Sequence, residues 1–127
     1  MIIATLQFEL LIHGAESLKD KRRVVKSVKD RLHREHMVSV AEVGSLESHT
    51  VAVMGLAAAG TDVRVLASVL DRITEKLRAL TDAELGAAVR QIVKPDFEEA
   101  AASSEIDADD LAAEMLRHAE TGEGGSA

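Results

Sequence analysis

The 127-residue sequence contains no cysteine, tryptophan or tyrosine, a single proline and two phenylalanines. Without cysteine there is no disulfide, no thiolate zinc site and no thiol nucleophile, which fits a reducing compartment. Two aromatics, Phe8 and Phe97, are too few for a sheet that stacks bases, so an aromatic platform for single-stranded RNA is not the expected mode of action. Long apolar runs are also missing, since no stretch approaches the ~18 consecutive apolar residues that a membrane helix needs. The opening Met1 to Ile12 has no basic leader and is interrupted by Thr5, Gln7 and Glu9, so it reads as a strand and not as a signal peptide. A soluble, cytoplasmic protein without a membrane partner is expected.

Recognisable catalytic motifs are absent too. There is no glycine-rich phosphate loop, no nucleophile elbow and no paired metal-binding motif. Glu9, His13, Glu42 and His49 are the acid–base residues near strand ends, and no spacing among them implies a shared pocket. His33 and His36 stand three apart with Glu35 between them, but they diverge by about 60° around a helix and lack a third and fourth ligand. A helix terminus that favours cationic side chains explains them more simply. No enzyme activity, metal or cofactor is expected.

What is present is periodicity. Ile2, Ala4, Leu6, Phe8, Leu10 and Ile12 share one face of an alternating run, and Ile3, Thr5, Gln7, Glu9 and Leu11 share the other, which predicts a strand. His13 to Glu16 breaks the pattern, and Ser17, with Asp20 three positions later, is placed to cap a helix. Val25, Val28 and Leu32 then repeat at helical spacing over about five turns. Met37 to Val43 and Val51 to Ala57 read as strands joined by a short polar link, hence an antiparallel hairpin. After a turn at Gly60, with Asp62 as cap, Val63, Leu66, Val69, Leu70, Ile73, Leu77 and Leu80 predict a second amphipathic helix. Glu84 to Val93 supplies a last strand, weakened by Gly86 and ended by Pro95.

Strand, helix, strand, twice over, with right-handed crossovers, gives a ferredoxin-like βαββαβ domain over residues 1–95: an α/β (α+β sandwich) fold with a four-stranded antiparallel sheet and two helices on one face. The other sheet face is left open. It carries Ile3, Thr5, Gln7, Glu9 and Leu11, more apolar than a solvent face usually is, and a homodimer through these residues is expected.

Residues 96–127 hold ten acids against Arg117 alone, a balance of −9, which leaves the body at +2 within the total of −7. This acidic tail is expected to be largely disordered, with a short helix near 107–119 carrying Leu111, Ala112, Met115 and Ala119 on one stripe. The first helix, in contrast, gathers eight of the fifteen basic residues. Lys19, Arg22, Arg23, Lys26, Lys29, His33 and Arg34 spread over one arc opposite the apolar stripe, diluted by Asp30, and an arc of this kind can neutralise phosphates without reading sequence.

The run Ser17 to Leu32, followed by Val38-Ser-Val-Ala-Glu-Val43, and the opening Met1-Ile2-Ile3 resemble the YlxP-like family of small bacterial proteins of unknown function. The resemblance is densest over residues 1–43 and persists to about Lys94. It implies a ferredoxin-like fold and a cytoplasmic bacterial protein, often encoded among translation and ribosome-maturation genes, with no established enzymatic activity. Members often carry an aromatic and further basic residues between strands two and three, where this chain has Ser45-Leu-Glu-Ser-His-Thr50. The expectation is therefore a non-enzymatic ribosome- or RNA-associated accessory factor that binds phosphates through Lys19, Arg22, Arg23, Lys26, Lys29 and Arg34, with ribosomal RNA or ribosomal particles as partner. The alternative is a homodimeric structural or small-ligand-binding protein of the same fold with no nucleic-acid role.

Overall fold

The computed structural model describes residues 1–95; the expectations for the acidic tail, including a helix near 107–119, lie outside the described residues. The elements run β1 (Ile2–Leu11), α1 (Leu18–His36), β2 (Ser39–Gly44), β3 (Val51–Gly60), α2 (Val63–Arg78) and β4 (Glu84–Val93). The strands form one antiparallel sheet in the order β2-β3-β1-β4, so each βαβ half inserts its crossover and β1 and β3 become neighbours at the centre. This is the ferredoxin-like arrangement, and Met1–Pro95 is one compact unit.

The alternation read in β1 sets the layers. Ala4, Leu6, Phe8 and Leu10 are buried with Val25, Val28 and Leu32 of α1 and Leu66, Leu70, Ile73 and Leu77 of α2. α1 packs over β2 and β3, and α2 over β1, β3 and β4. Fully burying side chains of this size stabilises by roughly 1.5–3 kcal/mol each before chain entropy is counted, so this single layer holds the domain without a covalent staple.

Local signals start and stop the helices. Ser17 Oγ accepts from the Asp20 amide at 3.1 Å while the Asp20 carboxylate accepts from the Glu16 amide at 3.0 Å, a reciprocal cap at the start of α1. α1 ends at Met37, whose φ of 54° is left-handed and whose N–H donates to the His33 carbonyl. That cap delays the second strand: β2 begins at Ser39, two residues later than the apolar pattern suggested. β3 instead runs longer than expected, through Gly60, because its far end pairs with the start of β1, Ile2 opposite Gly60. The turn is confined to Thr61 and Asp62, with Asp62 Oδ1 accepting from the Arg64 amide.

Candidate nucleic-acid interface and open sheet face

Around α1 the apolar stripe fixes what faces solvent. Lys19, Arg22, Arg23, Lys26 and Arg34 are exposed and Lys29 is half-buried, as a helix docked through Val25, Val28 and Leu32 requires. From Lys19 to Arg34 the helix advances roughly 22 Å. The arc is divided by its own acids. Arg23 pairs with Asp20 at 2.9 Å and Lys26 with Asp30 at 2.7 Å, whereas Lys19, Arg22, Lys29 and Arg34 have no ion-pair partner among the described residues. The Lys26 ammonium holds the Asp30 carboxyl below its ordinary value.

Another basic residue of α1 behaves differently. Lys21 is 1% exposed, the one buried charge among the described residues. Its ammonium donates to the carbonyls of Ser45, at 2.8 Å, of Ser48, and of Val51, at 3.1 Å. Glu42 Oε2 lies 2.7 Å away. Three protons serve three carbonyls, so the carboxylate balances the charge without an aligned hydrogen bond of its own. Lys21 thereby binds the β2–β3 link to the first turns of α1. The signal was in the spacing: Lys21, Val25, Val28 and Leu32 stand at i, i+4, i+7 and i+11, on one stripe.

At the other end of α1, Glu35 accepts from Arg31 at 2.9 Å and from Lys76 of α2 at 2.7 Å, and these two cations lower its carboxyl to about 2. Lys76 Nζ also lies 2.8 Å from His36 Nε2. Burial first, and then the Lys76 charge, lower the His36 imidazole below its ordinary value. His33 donates through Nδ1 to the Val38 carbonyl, so the two histidines face different partners.

The remaining acid–base residues disperse as well. His13 Nε2 lies 2.9 Å from Glu84 Oε2 on the rim of a cleft of about 650 Å³ floored by Leu11, Ile12, Val24 and Leu80. Sequence reasoning did not bring these two together, because they are 71 positions apart. Glu9 Oε1 accepts from the Ala87 amide at 3.1 Å, where the β1–β4 register shifts between Phe8 and Leu10.

The open face is defined by register. One row runs Ala41, Gly55, Gln7, Val89 across β2, β3, β1 and β4, and the next runs Ser39, Ala57, Thr5, Gln91. These rows line a depression of about 520 Å³, bordered by Val43. Val89 is 69% exposed and Val43 52%. The residues Ile3, Thr5, Gln7, Glu9 and Leu11 all stand on this face, and Glu9 is the one charged side chain in its middle among the described residues.

Among the described residues no helix is long and apolar enough to cross a membrane. No curated protein matches the chain. A family model described as a protein of unknown function, DUF503, matches residues 3–95, the whole βαββαβ body. The chain therefore belongs to the DUF503 family of proteins of unknown function.

Proposed function

We propose that this domain is a non-enzymatic accessory factor of the YlxP-like kind, working as a homodimer in the bacterial cytoplasm and contacting RNA phosphates, those of ribosomal RNA or ribosomal particles, through the exposed arc of α1. The observation that carries the reading is the set of four cations, Lys19, Arg22, Lys29 and Arg34, without ion-pair partners among the described residues and spread along one rigid helix. Arg23 and Lys26 can join them, because exposed i,i+3 and i,i+4 pairs contribute little and exchange readily for phosphate. Contacts of this type give affinity without sequence preference and a steep salt dependence. The acid–base groups support the non-enzymatic part: Glu9 serves a strand amide, Glu42 balances Lys21, and His13 faces Glu84.

The test is fluorescence anisotropy of structured RNA against a salt series. Wild type is expected to bind at low salt, and replacing Lys19, Arg22, Lys29 and Arg34 with Ala is expected to reduce both affinity and the slope of log K against log salt. A wild type with no affinity at low salt, or a quadruple variant that binds equally well, overturns the reading. A second reading, a homodimeric ligand-binding protein with no nucleic-acid role, draws on the depression over Gly55 and Ala57. It predicts no RNA affinity and an apolar ligand between two sheets.

A further inference from the structure

The open sheet face has a relief and a charge pattern that select its occupant. Along the central row, Val89 projects at the β4 end, whereas Ala41 and Gly55 carry little bulk of their own and Val43 leans over Gly55, within 3.2 Å of where a Cβ there would stand, as the wall of a shallow trough. The adjacent row repeats the pattern, with Gln91 on β4 and Ala57 on β3. The face thus has a ridge along one edge strand and a trough along the opposite half. It is also nearly uncharged. Glu9, the one charge in its middle among the described residues, is turned to the Ala87 amide, and Glu84 stands at the far end against His13.

We infer that this face is closed by a second copy of the same chain, packed face to face about a two-fold axis that runs along the strands between β3 and β1. An isologous contact needs a surface complementary to itself. Rotation about this axis carries the partner's β4 over β2 and its β1 over β3. The Val89 ridge of one copy then enters over Ala41 of the other, beside the Val43 wall, and Gln7 comes over the Gly55 position, twice by symmetry. An axis across the strands would instead set ridge on ridge.

The area is sufficient for this occupant. Four strands about 4.8 Å apart and up to ten residues long present on the order of 600 Å² in projection, near the ~800 Å² per partner of a standard interface once relief is included. The middle of the face offers no cation to a polyanion among the described residues, and its one carboxylate, Glu9, already accepts from the Ala87 amide, which offsets part of the cost of covering it. α1 lies on the opposite side of each sheet, so both basic arcs remain exposed. The inference deepens the homodimeric part of the function proposed above and does not depend on the RNA part.

The test uses the full chain, which has no native thiol. Val89→Cys and Ala41→Cys together place two thiols three strand spacings apart within one copy, about 14 Å, too far for an intramolecular disulfide. Between facing sheets such a bond is geometrically accessible. Mild oxidation is expected to give a closed covalent dimer from the double variant and little from either single variant. Sedimentation of wild type is expected to give twice the chain mass, and Val89→Glu to weaken the dimer ~10-fold or more with an unchanged monomer circular dichroism spectrum. A ladder of higher oligomers, equal cross-linking by single variants, or a wild type that stays monomeric up to millimolar concentration overturns the inference. RNA anisotropy on the same wild-type sample separates the two readings, since a monomer that still binds RNA overturns this contact alone.

Discussion

The ammonium of Lys21 and the carboxylate of Glu42 lie 2.7 Å apart beneath the β2–β3 link, and the same ammonium holds two carbonyls of that link and the first carbonyl of β3. Removing one partner of a buried pair costs about 3–5 kcal/mol, because the other charge is left uncompensated. Glu42 retains some solvent access, which places Lys21→Met at the lower end, about 3 kcal/mol, a large share of the 5–15 kcal/mol typical of a domain. Urea unfolding is expected to show this loss. Adding Glu42→Gln is expected to recover part of it and not all, since the carbonyls of Ser45, Ser48 and Val51 stay unpaired. A single variant within about 0.5 kcal/mol of wild type, the range of an ordinary surface change, refutes the clamp.

The contact between α1 and α2 is expected to respond to acid in two stages. His36 has a lowered value in the folded chain, so the unfolded chain binds the proton more readily. Its contribution is complete above 6.5 and is lost as pH falls through the lower folded value. Glu35 follows the same sign in a lower window, complete above 4.5 and lost as pH falls toward about 2. Urea midpoints measured against pH should therefore fall below 6.5 and again below 4.5. His36→Gln is expected to flatten the first segment and leave the second, and an unchanged first segment would assign it to another group.

Period and punctuation made the layers legible. The alternation of Ile2 to Ile12 and the helical repeat from Val63 to Leu77 each report one buried face, so element order, topology and core followed from local rules. The basic arc followed for the same reason, as the complement of the Val25, Val28 and Leu32 stripe. What did not follow was pairing. Lys21 falls among the eight basic residues of the first helix and off the exposed arc, but its position on the apolar stripe does not name the carbonyls and the carboxylate that it meets there. His13 with Glu84, Lys76 with His36, and Glu9 with Ala87 depend on chain segments that meet only after the sheet has formed. The ridge of Val89 and the trough at Gly55 needed the register, which the pattern of a single strand does not contain.

Gly86 is expected to be required where its sequence position suggested only a weakened strand. A Cβ there would meet Glu9 Oε1 at 3.0 Å and Glu9 Cβ at 3.1 Å. The carboxylate end can swing away, but the Cβ of Glu9 moves only with the β1 backbone. Gly86→Ala gains up to ~1 kcal/mol from chain entropy and loses the contact between Glu9 and the Ala87 amide along with the bulge geometry. The loss is expected to win, by about 1 kcal/mol net in urea unfolding. A stabilised variant would show that the bulge relaxes freely.

Truncation after Pro95 is expected to leave a domain that unfolds in one cooperative transition. Residues 1–95 hold β1 to β4, α1 and α2 with their caps and the Lys21 clamp, and the family match ends at the same residue. The truncation also changes net charge from −7 to +2, because residues 96–127 carry −9. A polyanion that approaches the full chain meets a net negative molecule, and one that approaches the truncated chain meets a net positive one. Affinity for structured RNA is therefore expected to rise on truncation at low salt and to change little near 1 M salt, where the screening length falls to about 3 Å. Anisotropy of both proteins at the two salt concentrations reads the effect directly. Equal affinities at low salt would show that the acidic segment only keeps the protein in solution, and a truncated chain that unfolds without a cooperative transition would move the domain boundary beyond Pro95.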